Sequence, residues 1–466
     1  MSARPTSKIY SILKPKWLQE RSSSKRYFAN AQCAPIFRLP TEVLAEIFAF
    51  AVEGDEFRET PRPNQRVCET LSRTCSHFRA ILLDMPAAWI VDISLDWSPS
   101  TLSKYLEIML SRVSGSPLRV VLRDGHQSAK AALLRVLSEA LRKAKIDRIE
   151  SARLFLGRMD MAYFPQVFLD LLPVAPRSLT LHALASPPTR GIFKRTKRTS
   201  YKVFVIPPGP MISAVESIQV IDALLNIGVD VHSETPMALR SLKVLQTPEE
   251  SMPAVRCGLI FGTFLGRCTH LETLVFHGRL FWWAPPFDTP STSPLKELYI
   301  AEFDSDTILH SLSVATSFPS LTKFGVSGYK PSLLLPFLLS NPSISDLSLP
   351  YIAQGMRSSL RQITKLTISS KGLHTLFLMG EDDSRTFTAL EELIIDCREK
   401  EASQIELETL IETRVTSPIL HGYERPLSSI SLLRPSTWGA PTSELSPYIS
   451  PNSGHLTKDL IHGHSI

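Results

Sequence analysis

From Leu179 onward the apolar residues recur in one short pattern, apolar-x-x-apolar-x-apolar. Val215, Ile218 and Val220 carry it, then Leu239, Leu242 and Val244, then Leu271, Leu274 and Phe276. It returns at Leu295, Leu298 and Ile300, at Leu321, Phe324 and Val326, and at Ile344, Leu347 and Leu349. Ile363, Leu366 and Ile368 and then Leu390, Leu393 and Ile395 follow, with a weaker copy at Leu427, Ile430 and Leu432. The last two positions alternate, as on one face of a short strand, while the first tucks in from the preceding turn. Helix-compatible stretches stand between copies, at Val255 to Leu265, Ile308 to Ala315 and Ile405 to Ile411. A strand with its helix cannot bury an apolar face alone, but stacked neighbours can.

Nearer the N-terminus the period changes. Leu44, Ile47, Phe48 and Ala51 stand at i, i+3, i+4 and i+7, one helical face, with Pro40 at its start and Glu42 in its first turn. After a polar loop, Val67, Leu71, Cys75, Phe78 and Leu82 share a second helical face, which Pro86 should end. Trp89 and Ile93 supply apolar anchors beyond it.

Most spacings between the repeated motifs lie between about 19 and 32 residues, the range of leucine-rich repeats and their longer variants. The copies resemble the irregular leucine-rich repeats of many F-box proteins. They depart from the strict family pattern, since Arg279, Phe303, Tyr329 and Arg398 stand where that pattern has Asn or Cys, so no asparagine ladder is expected. The copy at Leu373, Leu376 and Leu378 is out of phase. Prolines such as Pro187, Pro207, Pro285, Pro331 and Pro342 fall between apolar segments and punctuate short elements.

The helical stretch carries the more specific resemblance. Leu39-Pro40-x-Glu42, Ile47-Phe48, Cys75-x-x-Phe78-Arg79 and Pro86-x-x-Trp89 follow the F-box pattern in order. Gly115-Ser116-Pro117-Leu118 leading into a strand looks like the continuation in fungal F-box proteins. The resemblance implies an α/β chain with an N-terminal three-helix F-box module followed by a leucine-rich-repeat solenoid, one strand plus one helix per repeat. It implies docking onto a Skp-type adaptor and through it a cullin-RING ubiquitin ligase, with an unidentified protein substrate held by the repeats. The family's adaptor contacts map onto Leu39, Pro40, Leu44, Ile47, Phe48, Cys75, Phe78 and Trp89. The alternative is a solenoid interaction scaffold in which these helices only cap the array, without a ligase link.

The expected organisation is a basic N-terminal segment at 1–35, the docking module at 36–95, the repeats at 96–433 and a flexible Ser/Pro-rich tail at 434–466. The N-terminal segment reads either as a disordered tail or as a transit peptide. Residues 187–210 form a basic insertion holding Lys194, Arg195, Lys197 and Arg198, read either as a nuclear localisation patch or as a solvated surface.

Composition narrows the function. A net charge of +6 over 466 residues is mild and calls for neither nucleic acid nor a membrane surface. The six cysteines are scattered, which points to a reducing compartment, cytoplasmic or nuclear. No run of about 18 apolar residues is present, so no membrane partner is expected. Phosphate-binding and metalloprotease motifs are absent, and no catalytic residue, cofactor or metal is assigned. Gly325-Val326-Ser327-Gly328 superficially resembles a nucleophile elbow, but its glycine spacing is short and Pro331 is expected to block the helix that should follow.

Overall fold

The computed structural model describes residues 35–56, 67–113, 115–123, 130–157, 164–183, 203–206, 210–221, 223–227 and 236–245. Further along it describes 255–257, 268–276, 280–282, 291–300, 309, 316–353, 356, 360–376, 389–397, 402–412, 414, 427–434 and 444–449. The chain divides into two compact units, Met1–Ala88 and Trp89–Ile466.

The first unit is helical. A 3-10 turn, Pro35–Arg38, leads into α1 (Thr41–Glu56), followed by α2 (Val67–Thr74), α3 (Ser76–Leu83) and a 3-10 turn at Pro86–Ala88. The second helical pattern, which the sequence presents as continuous, is broken in two. Cys75 is extended at φ −157, and its Sγ accepts the Phe78 backbone N–H at 3.4 Å, an N-cap that restarts the chain as α3. Arg79 Nε donates to the Ser72 carbonyl at 2.9 Å across the break. Leu44, Phe48, Phe78, Ile81 and Leu82 form the core, with the Phe48 and Phe78 rings edge to face at 4.9 Å.

The second unit is α/β, built on an open, non-barrel sheet of thirteen parallel strands closed by one antiparallel strand. The strands of this sheet lie side by side in chain order, with short strands of separate two-stranded sheets between some of them in the chain. The strands are β1 (Ile90–Ser94), β2 (Leu118–Arg123), β3 (Ile149–Leu156), β4 (Pro176–Ala183), β5 (Ser217–Ile221), β6 (Ser241–Leu245) and β7 (Thr273–Phe276). They continue with β8 (Glu297–Ile300), β9 (Lys323–Val326), β10 (Asp346–Leu349), β11 (Lys365–Ser369), β12 (Glu392–Asp396), β13 (Ser429–Arg434) and β14 (Glu444–Ile449). Connecting helices include α4 (Pro99–Val113), α5 (Lys130–Lys143), α6 (Phe164–Leu171), α7 (Pro331–Ser340) and α8 (Gln404–Ile411).

The sequence motif is the register of this sheet. Its middle position forms one row from strand to strand: Val91, Val120, Ala152, Leu179, Ile218, Leu242, Leu274, Leu298, Phe324, Leu347, Leu366, Leu393 and Ile430. Every one of these is buried, as is the first motif position from Val215 to Leu427. Identical spacing in each copy keeps all the apolar side chains on one face, because a slip of one residue would turn them to the other.

Several expectations change. The sheet begins at β1, inside the stretch assigned to the docking module. Val255–Cys257 starts as a strand, paired with Leu280–Trp282, rather than as a helix; of Ile308 to Ala315 only Leu309 is described. Leu373 and Leu376 lie in a 3-10 helix, Ser370–Leu376, so that copy is no strand. Pro331 does not block a helix but opens α7, where a proline's missing N–H costs nothing. β14, antiparallel to β13, falls within the stretch 434–466. Residues 1–34 and the basic run Lys194 to Arg198 lie outside the described residues, as does Trp283.

Candidate functional site

In the helical unit, α1 has two apolar faces. Leu44 and Phe48 point into the core at 0% and 1% exposure. Val43, Ile47 and Phe50 form a stripe about a quarter-turn away, at 38%, 42% and 80% exposure, and Leu39 at 37% extends it past the start of the helix. Ile36, at 39%, lies one turn further upstream. Pro40 is exposed, and its carbonyl accepts the Leu44 N–H at 3.1 Å, the bond that begins the helix. A stripe of this kind has no place in the unit's own core.

The expected adaptor contacts therefore fall into two sets. Leu39, Pro40 and Ile47 are on the exposed surface. Leu44, Phe48, Cys75 and Phe78 are buried within the unit and hold the stripe in place from behind. Trp89 falls in the sheet-bearing unit, 2% exposed, with the Arg112 guanidinium 4.4 Å from its ring centre. Val43 and Phe50 belong to the exposed set and were not singled out from the sequence. Their i, i+4, i+7 relation to Ile47 and to each other was available there, hidden because α1 is apolar on both of these faces.

In the sheet-bearing unit, the strand face opposite the buried rows carries half-exposed side chains. Asp92 accepts from Arg123 Nε at 3.2 Å, the Arg123 guanidinium lies 4.5 Å from the Phe155 ring centre, and Phe155 packs on His182 at 5.4 Å. Towards the other end Lys365 Nζ meets Glu392 at 3.0 Å. Burial pushes the Asp346 carboxyl above its ordinary value, partly offset by Lys365 and Lys323.

At the start of the strands a ribbon of alternating charge crosses the sheet. Arg148 reaches Glu150 at 3.1 Å, Arg177 reaches Glu150 and Glu216 at 3.6 and 3.0 Å, Arg240 reaches Glu216 and Glu272 at 3.9 and 3.7 Å, and Lys296 reaches Glu272 at 3.0 Å. From there hydroxyls take over: Thr322, Thr364 and Ser428 donate to the carbonyls of Lys296, Ser345 and Glu391. This polar seam lies before the strand, whereas an asparagine ladder would follow it.

Cys68, Cys75, Cys268 and Cys397 are buried thiols. Among the described residues no group of His, Cys, Asp and Glu could hold a metal ion, and no helix is long and apolar enough to cross a membrane. Gly325 and Val326 end β9, and a Cβ at Gly325 would run into the Tyr299 ring, so the glycine there serves packing between strands.

The fold and surfaces define an α/β protein with an open parallel sheet and a separate helical unit bearing an exposed apolar stripe. A scan against protein-family models finds no match, and a search of curated proteins finds no similar chain.

Proposed function

We propose that this chain is a non-catalytic adaptor of an SCF-type ubiquitin ligase. The helical unit docks as an F-box onto a Skp-type adaptor, and the sheet-bearing unit, a leucine-rich-repeat solenoid, holds a protein substrate. The observation that carries the reading is the stripe of Leu39, Val43, Ile47 and Phe50 beside Pro40, exposed on a small helical unit whose sequence follows the F-box order. Small units of this kind bury little apolar surface alone, and covering such a stripe stabilises both partners. The in-order parallel strands with one motif per strand support the solenoid half of the reading.

The test is co-purification of the full chain with a Skp-type adaptor. Ile47→Asp and Phe50→Asp place charges on exposed positions and are expected to abolish association while leaving the helical content unchanged. An intact chain that fails to associate sinks the ligase reading and leaves the interaction scaffold.

A further inference from the structure

The open face of the sheet is polarised in charge. Over β2 to β6 it presents Arg119, Arg153 and Lys243, partly exposed, beside hydroxyl and amide side chains and the buried Val121, Phe155 and His182. Asp92, on the edge strand β1, is paired with Arg123. Over β8 to β12 the same face carries Glu297, Asp346 and Glu392, interleaved with Lys323 and Lys365 and partly neutralised by them. The ribbon at the strand starts alternates in sign and leaves this asymmetry standing.

Arg153, Thr180, Gln219 and Lys243 are register partners in one row across β3 to β6. With strands about 4.8 Å apart, the two cations stand roughly 14 Å from each other. An extended peptide rises about 3.3 Å per residue, so carboxylates four residues apart, on the same side of the peptide, span about that distance. Thr180 and Gln219 lie between the cations, where they can hydrogen-bond the intervening peptide. Two cations over that length are too sparse for a polynucleotide, whose duplex carries a charge every 1.7 Å or so. The rings on this face are engaged: Phe155 is buried against Arg123 and His182, and Tyr299, further along the same row, packs on Gly325, so they offer no open platform for a base.

We propose that the sheet face over β2 to β6 docks an extended, carboxylate-rich segment of a protein partner. The proposal rests on the reading that the sheet-bearing unit holds the substrate; it is independent of what the helical unit docks onto.

The experiment titrates the full chain into a fluorescein-labelled peptide of alternating Glu and Ser, followed by anisotropy at low salt. Saturable binding is expected, weakened by added salt and reduced about tenfold by Arg153→Glu with Lys243→Glu, since each exposed charge contact contributes modestly. Arg153→Lys with Lys243→Arg should retain it. If the double reversal disturbs folding, Lys243→Glu alone should weaken binding roughly threefold. Association of the charge-reversed chain with a Skp-type adaptor should be unchanged, so a failure here and a failure of the docking reading are told apart. Absence of peptide binding, equal binding by a folded charge-reversed chain, or tighter binding of a single-stranded oligonucleotide of the same charge would overturn the proposal.

Discussion

Tyr329 and Tyr351 tie two consecutive turns together. Their rings stack at 4.9 Å, Tyr329 Oη donates to the Tyr351 carbonyl at 2.6 Å, and Tyr351 Oη donates back to the Tyr329 carbonyl at 3.3 Å. Burial raises the Tyr329 phenol well above its ordinary value, so it stays protonated and keeps donating. Behind this clamp, Gly372 stands where a Cβ would press on the Pro350 carbonyl oxygen and lie 2.8 Å from Tyr351 Cα. Backbone cannot move aside as a flexible side chain can, so Gly372→Ala should cost about 1–3 kcal/mol, measured by urea unfolding. Asp346 gives a pH dependence with a definite sign. Its folded value is raised, so the folded chain holds the proton more tightly than the unfolded one. The resulting stabilisation is present at low pH and lost as pH rises through the raised value. Asp346→Asn should remove that loss: between about pH 4 and pH 7 its urea midpoint should fall less than that of the parent chain. None of these roles is legible in sequence, where Gly372 and Asp346 look like ordinary turn and strand-edge residues.

At the scale of elements, α1 carries its core residues and its exposed stripe on different faces. Phe48 is buried against Phe78, and Phe48→Ala should destabilise the helical unit by about 3–5 kcal/mol through the cavity it leaves, read by thermal unfolding. Ile47→Asp on the exposed stripe should leave the unfolding midpoint nearly unchanged. The helical period read α1 but grouped Ile47 with Leu44 and Phe48 on one face, because an apolar arc that wide does not show where the core ends. The break at Cys75 was equally hidden, since a capping thiol fits the same apolar spacing as a core residue. Strands were legible wherever large aliphatic residues fill all three motif positions, from Leu179 onward. Before them, β2 was read from the Pro117-Leu118 step, while β1 and β3 were not read, β3 because it places the small Ala152 in the buried row. The charged ribbon escaped notice because Glu150, Arg177, Glu216, Arg240, Glu272 and Lys296 are far apart in the chain and meet only through the register. Hydrogen bonding to Glu216, then its charge and that of Glu150, holds Arg177 more firmly protonated than usual.

At the scale of the molecule, two units of different construction share one chain, each described by its own core. The parallel sheet follows from repetition: one motif per strand in unchanging phase gives neighbours in sequence as neighbours in space, with β14 closing the last strand. That much of the architecture was readable from spacing alone. The proposed division of labour between the units rests on surfaces, and surfaces depend on which apolar residues the core leaves over, something a single helical period does not disclose. The central claim is that the leftover stripe on α1 binds a Skp-type adaptor. Isothermal calorimetry of the full chain with that adaptor tests it most directly. The account predicts a one-to-one heat of binding that disappears in the Ile47→Asp, Phe50→Asp chain. Heat of binding retained by that variant in folded form, or no heat from the parent chain, would contradict it.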